Sequence, residues 1–413
     1  MNIATRVRRP NLYGLLLRVR VKVLRVLLLP VSVVALTVFI VTSLRVRLLL
    51  MPLNVSRVGH LGVDAEYALS DIERNATRCR IIAVPLRVDL PVSNRALLLA
   101  WKDCMWWVPG WLGEPLLWFF RLSKVGRRFV YQHPKNIAGR FHWGTDPYGV
   151  TAGGEPHLQL TNEIRKECKN QLQDMGLDMT RPFVCLHVRD DQYHRVHSSA
   201  AWNEPHGWRN LALSTFESGA RALTSRGLQV VRLGVHARES FAAADEVDVF
   251  DYARNGHRTD ALDAYLVSEC AFMISTSSGI DSLTQTFRKP LYNVGVIAPS
   301  QLYIHRRIFS IVQRFQLVDT GRYLSLAESF DLPKVSDKTL MSLGLRAVPN
   351  SAQEVAELAL EAADRFHGTW CPTDEDIQLQ SRFMSLLPSE FRRFPIRGGI
   401  GSAFLRRHPE WLA

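Results

Sequence analysis

The chain lacks most of the short motifs that announce a particular chemistry. It has no G-x-x-x-x-G-K-[ST] phosphate loop, no G-x-G-x-x-G fingerprint, no G-x-S-x-G elbow and no H-E-x-x-H pair. No C-x-x-C occurs, and the six cysteines (79, 104, 168, 185, 270 and 371) are widely spaced, which excludes a zinc ribbon and a disulfide framework. Those in apolar runs, such as Cys185 in FVCLH and Cys270 in SECAFMIS, read as small buried hydrophobes of a reducing compartment. Acid is missing from the first 57 residues, which hold ten of the 51 Lys and Arg. The remainder carries 41 bases against 39 acids, so the net charge of +12 belongs to the N-terminal segment. The body has no basic stripe interleaved with aromatics, and no nucleic-acid partner is assigned. A composition of 47% apolar and 22% charged residues excludes general disorder, and 413 residues allow two or three domains of about 150 each.

What is present begins with nineteen uncharged residues, VLLLPVSVVALTVFIVTSL, from Val26 to Leu44. That is close to the roughly 20 residues that cross a bilayer as a helix. Seven bases precede the run and Arg45 and Arg47 follow it, so both ends suit anionic cytoplasmic lipid. Pro30 inside it kinks a helix, and no small-residue cleavage site follows. The pattern favours a monotopic or re-entrant anchor over a single span. Residues 1–52 form a membrane-associating segment, residues 15–50 touch lipid, and the body lies on the cytoplasmic face of the inner membrane.

After Pro52 the pattern becomes that of alternating strands and helices. LNVSRVGHLGVDAEYALSDIE reads as a strand ending near Val58, a Gly59–Gly62 turn, and a helix with Asp64 and Glu66 in its first turn. CRIIAVPL continues as a strand, NRALLLAWKDCMWWVP as a helix ending at Pro109, and residues 159–177 as an amphipathic helix; residues 110–157 give no clear period. From Pro182 the alternation is cleaner. FVCLHV, LQVVRLG, VDVFDYA, AFMIST and PLYNVGVIAP read as strands, the last of them final, with helices over 209–227 and 259–270 and a helix start in SGIDSLTQTFRKP. Continuous apolar strands between helices imply parallel sheets covered on both faces. The fold class is therefore α/β, with two Rossmann-like domains over 53–180 and 181–345 and C-terminal helices over 346–413 packing back across them.

Ligands of such sheets sit at the carboxyl ends of the strands. Three loops fall there: HVRDDQYH from His187 to His194, Gly234 followed by His236, and STSSG at 275–279. A serine-rich loop feeding a helix start offers backbone N–H groups and hydroxyls to a phosphate. Arg189 at one strand end and this loop at another can grip a diphosphate from two sides. The plain alternatives are a surface ion pair of Arg189 with Asp190 or Asp191, a helix cap for the serines and a buried core role for His187. Asp248 and Asp251 stand in a stretch that reads as strand, so no metal and no cofactor is assigned.

RVGHLGVDAE, FVCLHVRDDQYH, WRNLALSTFESGARALTSRGLQVVRLG, STSSGIDSLTQTFRKP and IGSAFLRRHPEWL resemble a bacterial family of glycosyltransferases of surface polysaccharide synthesis carrying the HVRD motif. That family is distantly similar to O-fucosyltransferase-like enzymes with the GT-B fold. The resemblance covers the chain from about residue 40. It implies two facing domains, the first meeting a glycan or lipid-linked acceptor and the second a nucleotide-sugar donor. It implies that His187 and Arg189 contact the donor, with Arg189 stabilising the departing diphosphate. Donor contacts are implied also for Arg209, Asn210, Tyr252, Ser277, Ser278 and Gly279, and the strand-end loops add Asp190, Gly234 and Thr276 as donor-binding candidates. The wider pattern has Asp three residues after the arginine, where this chain has Gln192. His60, Asp64 and Glu66 face the cleft as candidate bases, His60 first. Alternatives are another nucleotide-sugar enzyme on the same plan, an epimerase or pyruvyl transferase, and an inert membrane scaffold of a polysaccharide assembly complex.

Overall fold

The computed structural model describes residues 23–75, 78–133, 149, 151, 153–189, 211–235, 237, 239–297, 302–304, 307–332, 335–392 and 396–413. Asp190, Asp191, Gln192, His194, Arg209, Asn210 and His236, all singled out above, lie outside the described residues.

The apolar run forms helix α1 (Leu29–Thr42), and the helix is interrupted at Leu28, with Pro30 in the first turn of α1. Residues 23–27 are helical as well, and α1 itself rises about 21 Å over its 14 residues at about 1.5 Å each. Among the described residues no helix is long and apolar enough to cross a membrane. One stripe of α1 packs on the body. Phe39 meets Phe120 edge-on at 5.0 Å and Phe129 at 5.8 Å, in a cluster with Leu50, Val84, Leu116 and Val130.

The first unit runs β1 (Arg47–Asn54), α2 (Ala65–Asn75), β2 (Cys79–Leu86), α3 (Arg95–Cys104), β3 (Trp106–Trp107), α4 (Gly110–Leu122) and α5 (Asn162–Asp174). β1 begins at Arg47, so the boundary expected at residue 52 cuts a strand of this unit. Strands β1, β2 and β3 pair in that order, all parallel, and Leu50 also bridges Val130. Leu49, Met51 and Leu53 face one core cluster while Leu50 faces the one under α1. Both faces of β1 are covered, which is why its apolar run is continuous rather than alternating.

The second unit runs β4 (Phe183–His187), α6 (Glu217–Thr224), β5 (Gln229–Leu233), β6 (Val249–Phe250), α7 (Asp260–Glu269), β7 (Met273–Ser275), α8 (Ser282–Thr286), β8 (Leu291–Val296), β9 (Ile308–Val312), β10 (Arg314–Leu317) and β11 (Leu345–Val348). Helices α9 (Ala352–His367) and α10 (Asp374–Leu386), strand β12 (Gly399–Ile400) and helix α11 (Ser402–Arg407) complete the chain. The main sheet has the order β12-β9-β8-β7-β4-β5-β6, its neighbours all parallel; β10 and β11 form a separate antiparallel pair.

Alternation decides what each sheet face meets. Cys185, Val231, Leu233, Met273, Leu291 and Ile308 pack toward α7 and the first unit. Val184, Leu186, Val230, Ile274, Tyr292 and Val294 pack toward α6 and the C-terminal helices. Two expectations are corrected here. β8 is not the final strand, because β9 and β12 extend the sheet beyond it. The tail does not pack across both units: its buried residues join the second unit's outer core, and β12 becomes an edge strand. Four cysteines are buried as expected, whereas Cys104 and Cys371 are exposed.

Candidate functional site

From β4 the chain moves outward to β5 and β6, then returns at β7 to the other side of β4 and continues through β8 and β9. Strand order therefore reverses between β4 and β7. In open α/β sheets ligands bind beyond the carboxyl ends of the strands at such a switch point. Here those ends carry Val188–Arg189 and Ser275–Gly279.

The two loops are joined directly, as the Arg189 amide donates to Thr276 Oγ1 at 2.8 Å. Ser277 holds a left-handed backbone, φ 56°, which a serine adopts only where its surroundings impose it. The imposing group is Asp281, a buried carboxylate that accepts the Ser278 amide at 2.7 Å and the Ser275 hydroxyl at 3.2 Å. Of the expected phosphate cradle at this helix start, one amide is thereby taken up. The amide of Ser278 is already bonded and α8 is a single short turn. Ser278 Oγ is buried with no hydrogen-bond partner among the described residues, and Gly279 is exposed at the loop tip.

Registered pairing sets His187 beside Ser275, Ser275 beside Asn293 and Asn293 beside Ser310, so these four side chains share the face turned to the first unit. Burial, then Arg232, then Arg189 lower the His187 pKa to about 4, leaving the ring neutral at physiological pH. Its Nδ1 has no hydrogen-bond partner among the described residues, nor has either amide atom of Asn293, which is 1% exposed. Arg232 is spoken for: it pairs with Asp251 at 3.0 Å and donates to the Glu239 carbonyl at 2.7 Å.

Two sequence-selected residues hold the scaffold instead. Tyr252 is 2% exposed, and its hydroxyl accepts the Thr259 amide at 3.2 Å and donates to Asp263 at 3.2 Å, which fixes the start of α7. It is therefore corrected from donor contact to core residue. Gly234, half-buried at the end of β5, leaves room for Ala253, whose Cβ would stand 3.1 Å from an added methyl. Asp248 is held by Arg181 at 2.7 and 2.8 Å.

The first unit reaches this edge through a helix that begins at Val58 and continues as a π-helical turn, His60–Asp64. The Gly59–Gly62 stretch is thus helix, not the turn expected. Its glycines serve close approach. A Cβ on Gly59 would lie 3.0 Å from the Gly279 carbonyl oxygen, and one on Gly62 would lie 2.4 Å from Leu283 Cδ2. The serine loop and the His60 turn are in contact, so His60 stands at the seam between the units. Its Nδ1 is 2.9 Å from Asp64 Oδ2. His133, within the stretch that gave no period, joins the group: its ring lies tilted at 5.5 Å from Tyr67 and edge-on at 5.2 Å from Tyr131. Burial lowers its pKa, opposed by Asp64. Among the described residues no cluster of ligands for a metal ion forms.

Glu66, offered by the sequence as a base, is corrected to an interunit anchor. It is 0% exposed, pairs with Arg288 at 2.5 Å and accepts from His157 Nδ1 at 3.0 Å. The hydrogen bond to Glu66 raises the His157 pKa. A raised folded-state value means the contribution is complete below the unfolded histidine value of about 6.5 and is lost as pH climbs through the folded value. His157→Gln is therefore expected to show its full stability deficit at mildly acidic pH and a shrinking one above neutrality. Urea unfolding of both proteins across that range measures it, and a deficit that stays constant or widens contradicts the assignment.

These features define a doubly wound α/β protein whose switch point sets the Arg189 main chain, a serine loop and an uncharged polar row at the edge that meets a smaller parallel unit. No protein-family model matches the sequence, and a search of curated proteins finds no match. Among solved structures, ADP-heptose LPS heptosyltransferase II of E. coli is similar over 78% of this chain and 100% of its own, at 14% identity and a TM-score of 0.42. A glycosyl transferase family 9 protein of Veillonella parvula is similar over 64% and 86%, at 11% identity and a TM-score of 0.40. E. coli heptosyltransferase WaaC with ADP is similar over 63% and 92%, at 10% identity and a TM-score of 0.35. All three lie below the level at which a likeness establishes a common fold.

Proposed function

We propose that the chain is a glycosyltransferase that moves a sugar from a nucleotide-diphosphate donor to a glycan or lipid-linked acceptor. Its place would be bacterial surface polysaccharide synthesis, at the cytoplasmic face of the inner membrane. The observation that carries this reading is the bond from the Arg189 amide to Thr276 Oγ1, which ties the main chain of a cationic residue to the serine loop at the switch point.

Breaking a sugar–diphosphate bond leaves negative charge on a phosphate oxygen. Arg189, with the Ser277–Gly279 tip, supplies the compensating field from side chains and main chain, and no metal is required for that step. A neutral His187 neither adds to that charge nor competes for it. The row from His187 to Asn293 suits the uncharged, hydroxylated part of such a donor. On the acceptor side His60 takes the hydroxyl proton, and Asp64 at its Nδ1 orients the ring and stabilises the imidazolium that forms.

Isothermal calorimetry of the full chain with GDP, UDP, CMP and dTDP tests the reading. One of these is expected to bind, with unchanged affinity in the presence of a chelator and with binding lost in Arg189→Ala. Absence of heat with all four would contradict a nucleotide-sugar donor.

A further inference from the structure

Away from the switch point, a cavity of about 400 Å³ is lined by Arg47, Lys124, Arg127 and Arg128 together with Leu49 and Tyr131. It holds four cations and no acid, and among the described residues none of the four pairs with a carboxylate. Arg47 donates to the Arg128 main-chain carbonyl at 2.6 Å, which ties the Arg47 guanidinium to the backbone of the 124–128 segment. A cluster of this kind is complete only with an anion in it.

The basin adjoins α1. That helix is apolar all round, yet only the Ser32 and Phe39 side is covered. Val34 is 63% exposed, Val41 60% and Leu44 85%, and Leu122 and Val125 beside the basin are exposed as well. An uncovered apolar surface rimmed by cations marks an interaction face. A second copy of the chain is a poor occupant, because a twofold contact would bring two sets of like charges together. A bilayer bearing anionic headgroups satisfies both halves, with acyl chains against α1 and phosphates in the basin. Residues 1–22, which precede α1, add six further bases and no acid.

We infer that the outer face of α1 and the Arg47–Lys124–Arg127–Arg128 basin form one lipid-docking surface, in which the basin takes the phosphate of an anionic phospholipid. The helix lies in the interface and does not cross it. This rests on the membrane placement proposed above and not on sugar transfer, and the two are separable because vesicle binding and nucleotide binding are measured independently.

Co-sedimentation of the full chain with vesicles of phosphatidylcholine alone, or with phosphatidylglycerol added, tests it. Strong binding is expected only with phosphatidylglycerol. Each cation near the surface changes partitioning about fivefold, so Lys124→Gln/Arg127→Gln/Arg128→Gln should weaken it on the order of a hundredfold. Lys166→Gln/Lys169→Gln, on exposed positions of α5, should leave it within about twofold of the parent if local charge decides. Val34→Asp/Val41→Asp should abolish binding to both vesicles. Should that variant fail to fold, the triple variant, which alters exposed side chains only, still decides. Equal binding to both vesicle types, an equal loss in the α5 control, or a dimer that binds no vesicles would overturn the inference. So would tight binding of inorganic phosphate by a chain that ignores phosphatidylglycerol, which would mark a free-phosphate site.

Discussion

Arg189→Ala should lower sugar transfer by about 10²–10³-fold while leaving the fold intact. The magnitude is that of removing one preorganised donor from a developing oxyanion, where the site is dry and the charge appears only as the bond breaks. The amide of residue 189 donates to Thr276 Oγ1, and alanine keeps that bond to the sheet edge. Arg189→Lys should recover part of the loss, since an ammonium supplies the charge without the planar fork that meets two phosphate oxygens. Steady-state rates with purified donor and acceptor measure this. Unchanged turnover in Arg189→Ala would remove the residue from the mechanism.

Glu66→Ala carries the largest expected effect on stability, about 3–5 kcal/mol. The carboxylate is fully buried and accepts from Arg288 of the second unit, from the His157 amide and ring, and from Ser70. Arg288 adopts a left-handed backbone, φ 59°, and reaches across to it. Removing the acid leaves a guanidinium buried at the seam with no counter-charge. The desolvation cost, rather than the lost attraction, dominates such a change. Glu66→Leu/Arg288→Met should consequently be more stable than either single variant, because it removes both charges at once. Guanidinium unfolding of the four proteins gives the cycle, and additive single effects would contradict a coupled pair.

The second unit was the more legible in sequence. FVCLHV and LQVVRLG are strands within a residue of where the pattern puts them, and Thr259 caps α7 by accepting the Leu262 amide. Their signals are local: apolar runs of strand length, bounded by charge, glycine or a cap. The convergence of Arg189 with Thr276 and Ser277 was legible for the same reason, since both stretches end adjacent strands. What failed depended on partners distant in sequence. Gly59–Gly62 read as a turn because glycine usually marks one, whereas here it admits Gly279 and Leu283, more than two hundred residues away. Tyr252 looked like a ligand contact until α7 packed over it. Asp281 was overlooked because nothing in STSSGID says that the acid folds back to fill the loop's own amide. His133 lay in a stretch without period, and long-range contacts such as the Leu50–Val130 bridge and the Tyr131–Asp71 bond hold it against the first unit.

A crystal structure of the chain with its nucleotide-sugar bound is the most direct test of the diphosphate site. The two phosphates should lie between the Arg189 guanidinium and the Ser277–Gly279 tip, with the sugar toward His187 and the His60 turn. Density for the phosphates at any other strand end, with Arg189 turned away from them, would contradict it.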